Sequence, residues 1–185
     1  MRADTDMVRI LAISGSLRHA SSNSALVRAA ARLAPVGVEI EVYGELGEIP
    51  PFNPDLDIEP APAAVLRLRA ALEASDAILI SSPEYAHGVS GVLKNALDWV
   101  VSSGEIIYKP IALINASARA THAHAALRET LTTMSGRVIS EASVTIPLEG
   151  AGWDANVIAQ DAHLSDLLRS ALAALARSTQ TARTV

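Results

Sequence analysis

The chain has 185 residues, a formal net charge of −5 and no cysteine. The lack of cysteine excludes disulfides, thiolate nucleophiles and iron–sulfur ligation, so any redox chemistry must come from a bound cofactor. The acidic balance argues against a nucleic-acid partner, because such binding relies on clustered Lys and Arg. Half of the residues are hydrophobic but only 3% are aromatic, which predicts a core of aliphatic side chains packed between layers.

Five apolar runs that end in small or turn residues predict strands buried on both faces, at residues 8–14, 38–43, 77–82, 110–116 and 138–146. Segments with helical spacing follow them, at residues 23–33, 63–74, 91–101, 122–134 and 161 to about 177. This alternation predicts an α/β fold in which a five-stranded, doubly wound parallel sheet forms the middle of three layers. Ligands of such sheets bind outside the carboxyl ends of the strands.

The remaining segments have the composition of surface chain. Residues 44–62 hold five of the nine prolines, which predicts a long surface connection. Residues 1–6 and about 178–185 are polar, so we expect frayed tails on a single domain spanning 1–185. No stretch resembles a secretory signal or reaches the apolar length that crosses a bilayer, so we expect a cytoplasmic protein without a membrane partner.

The loop after the first strand has the composition of an anion-binding loop. Gly15 permits a tight turn, and the helix that follows presents free backbone N–H groups at its positive end. Short donors and one fixed positive charge line the loop: Ser16, Arg18, Ser21, Asn23 and Ser24. Hydrogen bonds to a charged group contribute about 1.5 to 3 kcal/mol each, so this set can hold a phosphate monoester without a metal.

The loop lacks residues that other phosphate-binding or catalytic motifs require. A dinucleotide-binding G-x-G-x-x-G loop would need glycine where the chain has Leu17 and Ala20. A P-loop would need lysine, and a nucleophile elbow would need G-x-S-x-G, but neither is present in this stretch. A polar loop that only caps its helix remains open.

The loop after the third strand reads P-E-Y and leads into the helix G-V-L-K-N-A-L-D-W, for which Ser90 is well placed as N-cap. Together with the G-S-L-R-x-x-S-x-N loop, it resembles the NADPH-dependent FMN reductase family, which includes quinone, azo-dye and chromate reductases. The resemblance covers roughly residues 8–134. It implies a flavodoxin-like fold, an FMN cofactor, NADPH or NADH as hydride donor, and a homodimer or homotetramer.

The resemblance also implies the site residues. The phosphate of FMN would bind to Ser16, Arg18, Ser21, Asn23 and Ser24. The edge of the isoalloxazine would be lined by Pro83, Glu84, Tyr85, Ala86, His87 and Gly88, and the loop after the fourth strand would add Ser117. The family often has asparagine in place of Ala86 and proline in place of Ser90.

Backbone N–H groups of a tight turn could stabilise the negative charge of the reduced ring, and Pro83 and Gly88 make such a turn plausible. Tyr85 suits either a flavin contact or a half-buried anchor. Of the five histidines we place only His87 at the site. A metal site is not expected, because His122 and His124 are two apart on a predicted helix and face different directions.

The expected activity is transfer of hydride from NAD(P)H to FMN and onward to a small acceptor such as a quinone, free flavin, azo compound or metal oxyanion. FMN performs this chemistry, so no side chain is predicted to be a catalytic residue. A flavodoxin-type electron carrier for protein partners is the alternative, although such carriers usually need a strongly acidic docking surface. A binding module that has lost FMN also remains open. No Arg or Lys can be assigned to a 2′-phosphate from spacing alone.

Overall fold

The structure is a computed structural model that describes residues 7–150 and 152–182. Its strands are β1 (Val8–Ser14), β2 (Val38–Tyr43), β3 (Ala77–Ser81), β4 (Glu84–Tyr85), β5 (Gly88–Val89), β6 (Pro110–Asn115), β7 (Arg137–Val138) and β8 (Val144–Thr145). Its helices are α1 (Ser22–Arg32), α2 (Ala63–Glu73), α3 (Gly91–Asp98), α4 (Thr121–Thr133), α5 (Ala155–Gln160) and α6 (Ala162–Ala182). Short 3-10 turns occupy Leu46–Glu48, Pro54–Leu56 and Ser140–Ala142.

The central sheet has the strand order β2, β1, β3, β6, β7, and each of these pairings is parallel. This is the flavodoxin-like order, in which the chain changes direction across the sheet between β1 and β3. The register aligns Ser14 at the end of β1 with Ser81 at the end of β3. The predicted doubly wound α/β fold is therefore confirmed, and the change of direction places the loops after β1 and β3 side by side.

Strands β1, β3 and β6 are buried on both faces, which explains their uninterrupted apolar runs. The expectation of burial on both faces is wrong for β2, because β2 lies at the edge of the sheet and its Glu39, Glu41 and Val42 are exposed. On β1, Ile10 and Ala12 pack into a core with α1, α5 and α6, whereas Leu11 and Ile13 pack into the opposite core with α2, α3 and α4. Burial of each large aliphatic side chain contributes about 1.5 to 3 kcal/mol. The sheet therefore gives the loops at its carboxyl edge a rigid base.

The fifth predicted strand is interrupted. β7 pairs with the start of β6 and β8 with its end, because the 3-10 turn at Ser140–Ala142 intervenes. Beside the turn, the Ser143 hydroxyl accepts the N–H of Leu113 at 3.1 Å and donates to the carbonyl of Ile139 at 2.8 Å. A side chain thus supplies a hydrogen bond that a continuous strand would have made.

Several boundaries also differ from the predictions. α3 ends at Asp98, and sequence reasoning missed the short α5, whose N-cap Asp154 accepts the N–H groups of Asn156 and Val157. α6 continues through Ala182, past the predicted fraying point near residue 178, because Thr179 is buried. The other residues predicted to fray, 1–6 and 183–185, lie outside the described residues. Within the described part of the chain, no helix has the length and apolarity needed to span a membrane.

Candidate functional site

A crevice of about 340 Å³ opens where the loops after β1, β3 and β6 meet. Four residues of the predicted site line it, namely Asn23, Pro83, Glu84 and Ser117. The rest of its lining consists of Ser22, Ser82, Asn115, Ala116, Arg119, Ala120 and Leu148. The topology thus brings together three segments that are far apart in the sequence.

The first turn of α1 forms one end of the crevice. Ser21 is its N-cap, since the hydroxyl accepts the N–H of Ser24 at 3.4 Å and the carbonyl accepts the N–H of Ala25 at 2.9 Å. The backbone N–H groups of Ser22 and Asn23 belong to the first turn, where no intrahelical acceptor exists. Together with the positive end of the helix dipole they favour an anion.

Asn23 ties this helix start to the sheet. Its Oδ1 accepts a hydrogen bond of 2.9 Å from the hydroxyl of Ser81, and both side chains are buried. The N–H of Gly15 donates to the carbonyl of Ser81 at 2.8 Å. A Cβ on Gly15 would lie 2.6 Å from the hydroxyl oxygen of Ser82, so only glycine allows these two loops to approach so closely.

The other predicted phosphate ligands lie on the far side of the same loop. Ser16, Arg18 and Ser24 line a separate cavity of about 380 Å³, next to Arg28 and the end of β2. The hydroxyl of Ser24 is 2.8 Å from that of Ser14, and the N–H of Arg18 donates to the hydroxyl of Ser16 at 3.3 Å. The loop after β1 therefore separates two cavities, and its donors are divided between them.

The P-E-Y segment forms the small antiparallel hairpin β4–β5. Its two turn residues are Ala86 and His87, with φ of 50° and 59°, and these left-handed values are those of a type I′ hairpin turn. The tight turn expected between Pro83 and Gly88 is present, with Gly88 in β5 directly after the two turn residues. Tyr85 is 57% exposed, does not line the crevice and is not a half-buried anchor.

Two contacts fix the hairpin on the start of α4. The Glu84 carboxylate accepts the N–H of Ala123 at 2.8 Å, so Glu84 caps a helix to which it is not adjacent in sequence. The imidazole of His87 stacks on that of His122, with ring centroids 4.3 Å apart and planes inclined by 11°. Sequence reasoning missed His122, because no local pattern signals a contact between loops so far apart.

The loop after β6 wraps around a buried amide. Oδ1 of Asn115 accepts the N–H of Ser117 at 3.1 Å, and its Nδ2 donates to the carbonyl of Ala120 at 3.1 Å. These bonds hold Ser117 and Arg119 at the crevice without the glycines that a tight loop often needs. Ser90, which directly follows the β4–β5 hairpin, occupies the N-cap position of α3, but its hydroxyl makes no capping hydrogen bond.

The donor set fits FMN. One end of the crevice offers N–H groups and hydroxyls suited to a phosphate, and the loops after β3 and β6 form two walls against which a planar ring can lie. Fold and crevice together define a flavodoxin-like protein of the flavin-binding class.

Comparison with known proteins narrows this class. The family model described as NADPH-dependent FMN reductase matches residues 8–150, and the chain belongs to this family. An NAD(P)H-dependent FMN reductase of Pseudomonas aeruginosa is 36% identical over 176 residues, which cover 92% of this chain and 95% of that protein. A quinone reductase of Escherichia coli K12 is 32% identical over 97 residues, or 52% of each chain.

Comparison with solved structures supports the same assignment. The flavoenzyme NAD(P)H:(acceptor) oxidoreductase FerB of Paracoccus denitrificans superposes with a TM-score of 0.75 at 29% identity, covering 95% of this chain and 98% of that one. The apo form of the NADH:FMN oxidoreductase EMOB, at 19% identity and a TM-score of 0.69, supports the fold alone. The chain is therefore an FMN-dependent NAD(P)H oxidoreductase, and the enzyme prediction is confirmed over the electron-carrier alternative.

Proposed function

We propose that this enzyme reduces quinones and similar small acceptors, with FMN seated in the crevice between the loops after β1, β3 and β6. The observation that carries the proposal is the convergence of a helix N-terminus with two loop walls in one crevice. Bound FMN supplies the redox chemistry, taking hydride from NAD(P)H and returning electrons to the acceptor. The protein then needs to bind FMN, to orient the two substrates against it and to exclude water.

The phosphate seat is proposed at the start of α1. The N–H groups of Ser22 and Asn23, the side-chain amide of Asn23 and the hydroxyls of the loop can donate to the phosphate oxygens. Arg18 adds the positive charge from the other side of the loop, and its exposed side chain is long enough to change direction. These groups would anchor one end of FMN and fix where its ring lies.

The ring seat is proposed against Pro83, the β4–β5 hairpin and Ser117. The hairpin supplies backbone N–H groups in a fixed geometry, because Glu84 and His87 hold it on α4. Such preorganised donors stabilise negative charge without reorganisation. The exposed ring of Tyr85, next to Glu84 in the hairpin, offers an aromatic face for a planar acceptor.

We also propose that the protein forms a homodimer or a homotetramer. Large apolar side chains are exposed near α3 and the segment after it, with Val101 60%, Ile107 49% and Tyr108 73% exposed. Val101 and Ile107 border a cavity of about 460 Å³ between α3 and α4. Exposed apolar groups of this kind favour an interface. We further propose that the chain acts as one domain in the cytoplasm.

Arg18→Ala tests the cofactor seat. We expect the purified variant to lose most of its FMN, measured by flavin absorbance per chain, while far-UV circular dichroism stays unchanged. Arg28→Ala is the matched control, because Arg28 borders the same cavity from α1 but lies beyond its first turn. Full retention of FMN in Arg18→Ala would contradict the seat.

Anaerobic mixing with NADPH tests the activity. A reductase bleaches its flavin directly and recovers the oxidised spectrum when a quinone is added. A flavin that stays oxidised until a protein partner is supplied would contradict the proposal.

A further inference from the structure

The crevice continues into a second cavity of about 540 Å³, lined by the loop after β6 and by residues 147–150. The two cavities share Ala116, Ser117, Arg119 and Leu148. The N–H of Leu148 donates to the carbonyl of Ala116 at 3.0 Å, which joins the two segments that form the second cavity. A ligand longer than FMN could therefore extend from one cavity into the other.

Two charged side chains line this second cavity, Arg119 from the loop after β6 and Glu149 from the segment that follows β8. Both are exposed, and neither forms an ion pair with any described residue. Each is therefore available to a ligand, and the two carry opposite charges.

Hydrogen bonds hold the backbone of both Arg119 and Glu149 in place. The N–H of Arg119 donates to the hydroxyl of Ser117 at 3.3 Å, and its carbonyl accepts the N–H of Thr121 at 3.0 Å. The carbonyl of Glu149 accepts the indole N–H of Trp153 at 2.8 Å, and Trp153 packs against the core formed with α1, α5 and α6. The indole of Trp153 therefore holds the backbone of Glu149 in place at the second cavity.

NADPH differs from NADH by a phosphate on the 2′-oxygen of the adenosine ribose. A guanidinium recognises phosphate oxygens with paired charge-assisted hydrogen bonds. A carboxylate instead accepts from the free 2′-hydroxyl of NADH and repels a phosphate. The second cavity is lined by one group of each kind, so it offers a partner to either form of the ribose.

We propose that Arg119 and Glu149 determine which nicotinamide nucleotide this enzyme prefers. Arg119 binds the 2′-phosphate of NADPH, and Glu149 binds the ribose hydroxyls of NADH. The inference rests on the proposed FMN seat, because the adenosine end of the dinucleotide reaches the second cavity only if the nicotinamide lies over a ring in the first.

The test uses the FMN-loaded enzyme and titrates NADP⁺ and NAD⁺ separately by calorimetry. Arg119→Ala should weaken NADP⁺ binding about tenfold to a hundredfold and leave NAD⁺ nearly unchanged, the loss expected for a charge-assisted contact. Arg119→Lys should retain part of the preference, since it keeps the charge and loses the fork. Glu149→Gln should shift the ratio the other way, strengthening NADP⁺ and weakening NAD⁺.

Arg169→Ala is the control, because Arg169 is an exposed residue of α6 that lines neither cavity, and it should leave both affinities unchanged. Equal shifts for both nucleotides in Arg119→Ala, or no shift, would overturn the inference. Loss of FMN from Arg119→Ala would also overturn it, by making Arg119 a cofactor ligand. The proposed function fails separately, through a flavin that stays oxidised when the unaltered enzyme is mixed anaerobically with NADPH.

Discussion

The Glu84 carboxylate accepts the backbone N–H of Ala123, at 2.8 Å, and so caps α4 from a hairpin that belongs to a different part of the chain. Capping groups usually come from the residue next to the helix. Here the N-cap residue itself, Ala120, has no side chain that could do so. The start of α4 and the wall of the crevice are therefore coupled through one carboxylate.

Glu84→Ala should destabilise the protein by about 1 to 2 kcal/mol, because an N–H of the first helical turn loses its acceptor and the dipole loses its favourable charge. Urea unfolding of the FMN-free protein measures this effect. Glu84→Gln keeps an oxygen acceptor and should recover most of the stability. If Gln and Ala behave alike, the hydrogen bond to Ala123 does not couple hairpin and helix.

Ala86→Gly should stabilise the protein by about 1 kcal/mol, since Ala86 is held at a φ of 50° that costs an L-residue with a Cβ about this much. Ala70→Gly is the matched control, because Ala70 is an exposed residue inside α2 and should lose about 1 kcal/mol. Urea midpoints of the two variants should move in opposite directions. A loss of stability in Ala86→Gly would show that the turn is not strained.

The features of this structure that could be predicted are those determined by residues that are neighbours in the sequence. Ile10 and Leu11 lie in opposite cores, so a run of apolar residues revealed a strand buried on both faces. The loop from Gly15 to Ser24 could be interpreted because its donors are sequence neighbours.

The parts that could not be predicted depend on contacts across the fold. No sequence pattern near Glu84 indicates that it bonds to Ala123, and none near Arg119 indicates that it lines the same cavity as Glu149. A tight turn was expected between Pro83 and Gly88, but its left-handed positions at Ala86 and His87 escaped prediction because Asn and Gly usually form such turns.

Ser90→Pro should stabilise the protein by about 1 kcal/mol or more. Ser90 has φ of −56° and ψ of 136°, values that proline adopts without strain, and it directly precedes α3. Its buried hydroxyl has no hydrogen-bond partner among the described residues, so its removal also relieves a desolvated polar group. Thermal unfolding compares the variants, with Ser90→Ala isolating the hydroxyl from the backbone effect. A lower Tm for both would mean that the hydroxyl makes a bond in solution.

His124 should make the stability of the protein depend on pH in the weakly acidic range. Burial of its imidazole lowers the pKa from the ordinary value of 6.5, and the positive charge of Arg128 lowers it further. The unfolded chain therefore binds a proton at a higher pH than the folded protein does. The free energy of unfolding should be highest above about pH 6.5 and should fall as the pH drops towards the folded pKa.

The slope of this fall is bounded by one proton, at about 1.4 kcal/mol per pH unit. His124→Gln should flatten the profile, measured by urea unfolding between pH 7.5 and 5. Arg128→Gln should flatten it only in part, because it removes the charge and leaves the burial. A profile that keeps its full slope in His124→Gln would assign the pH dependence to another group.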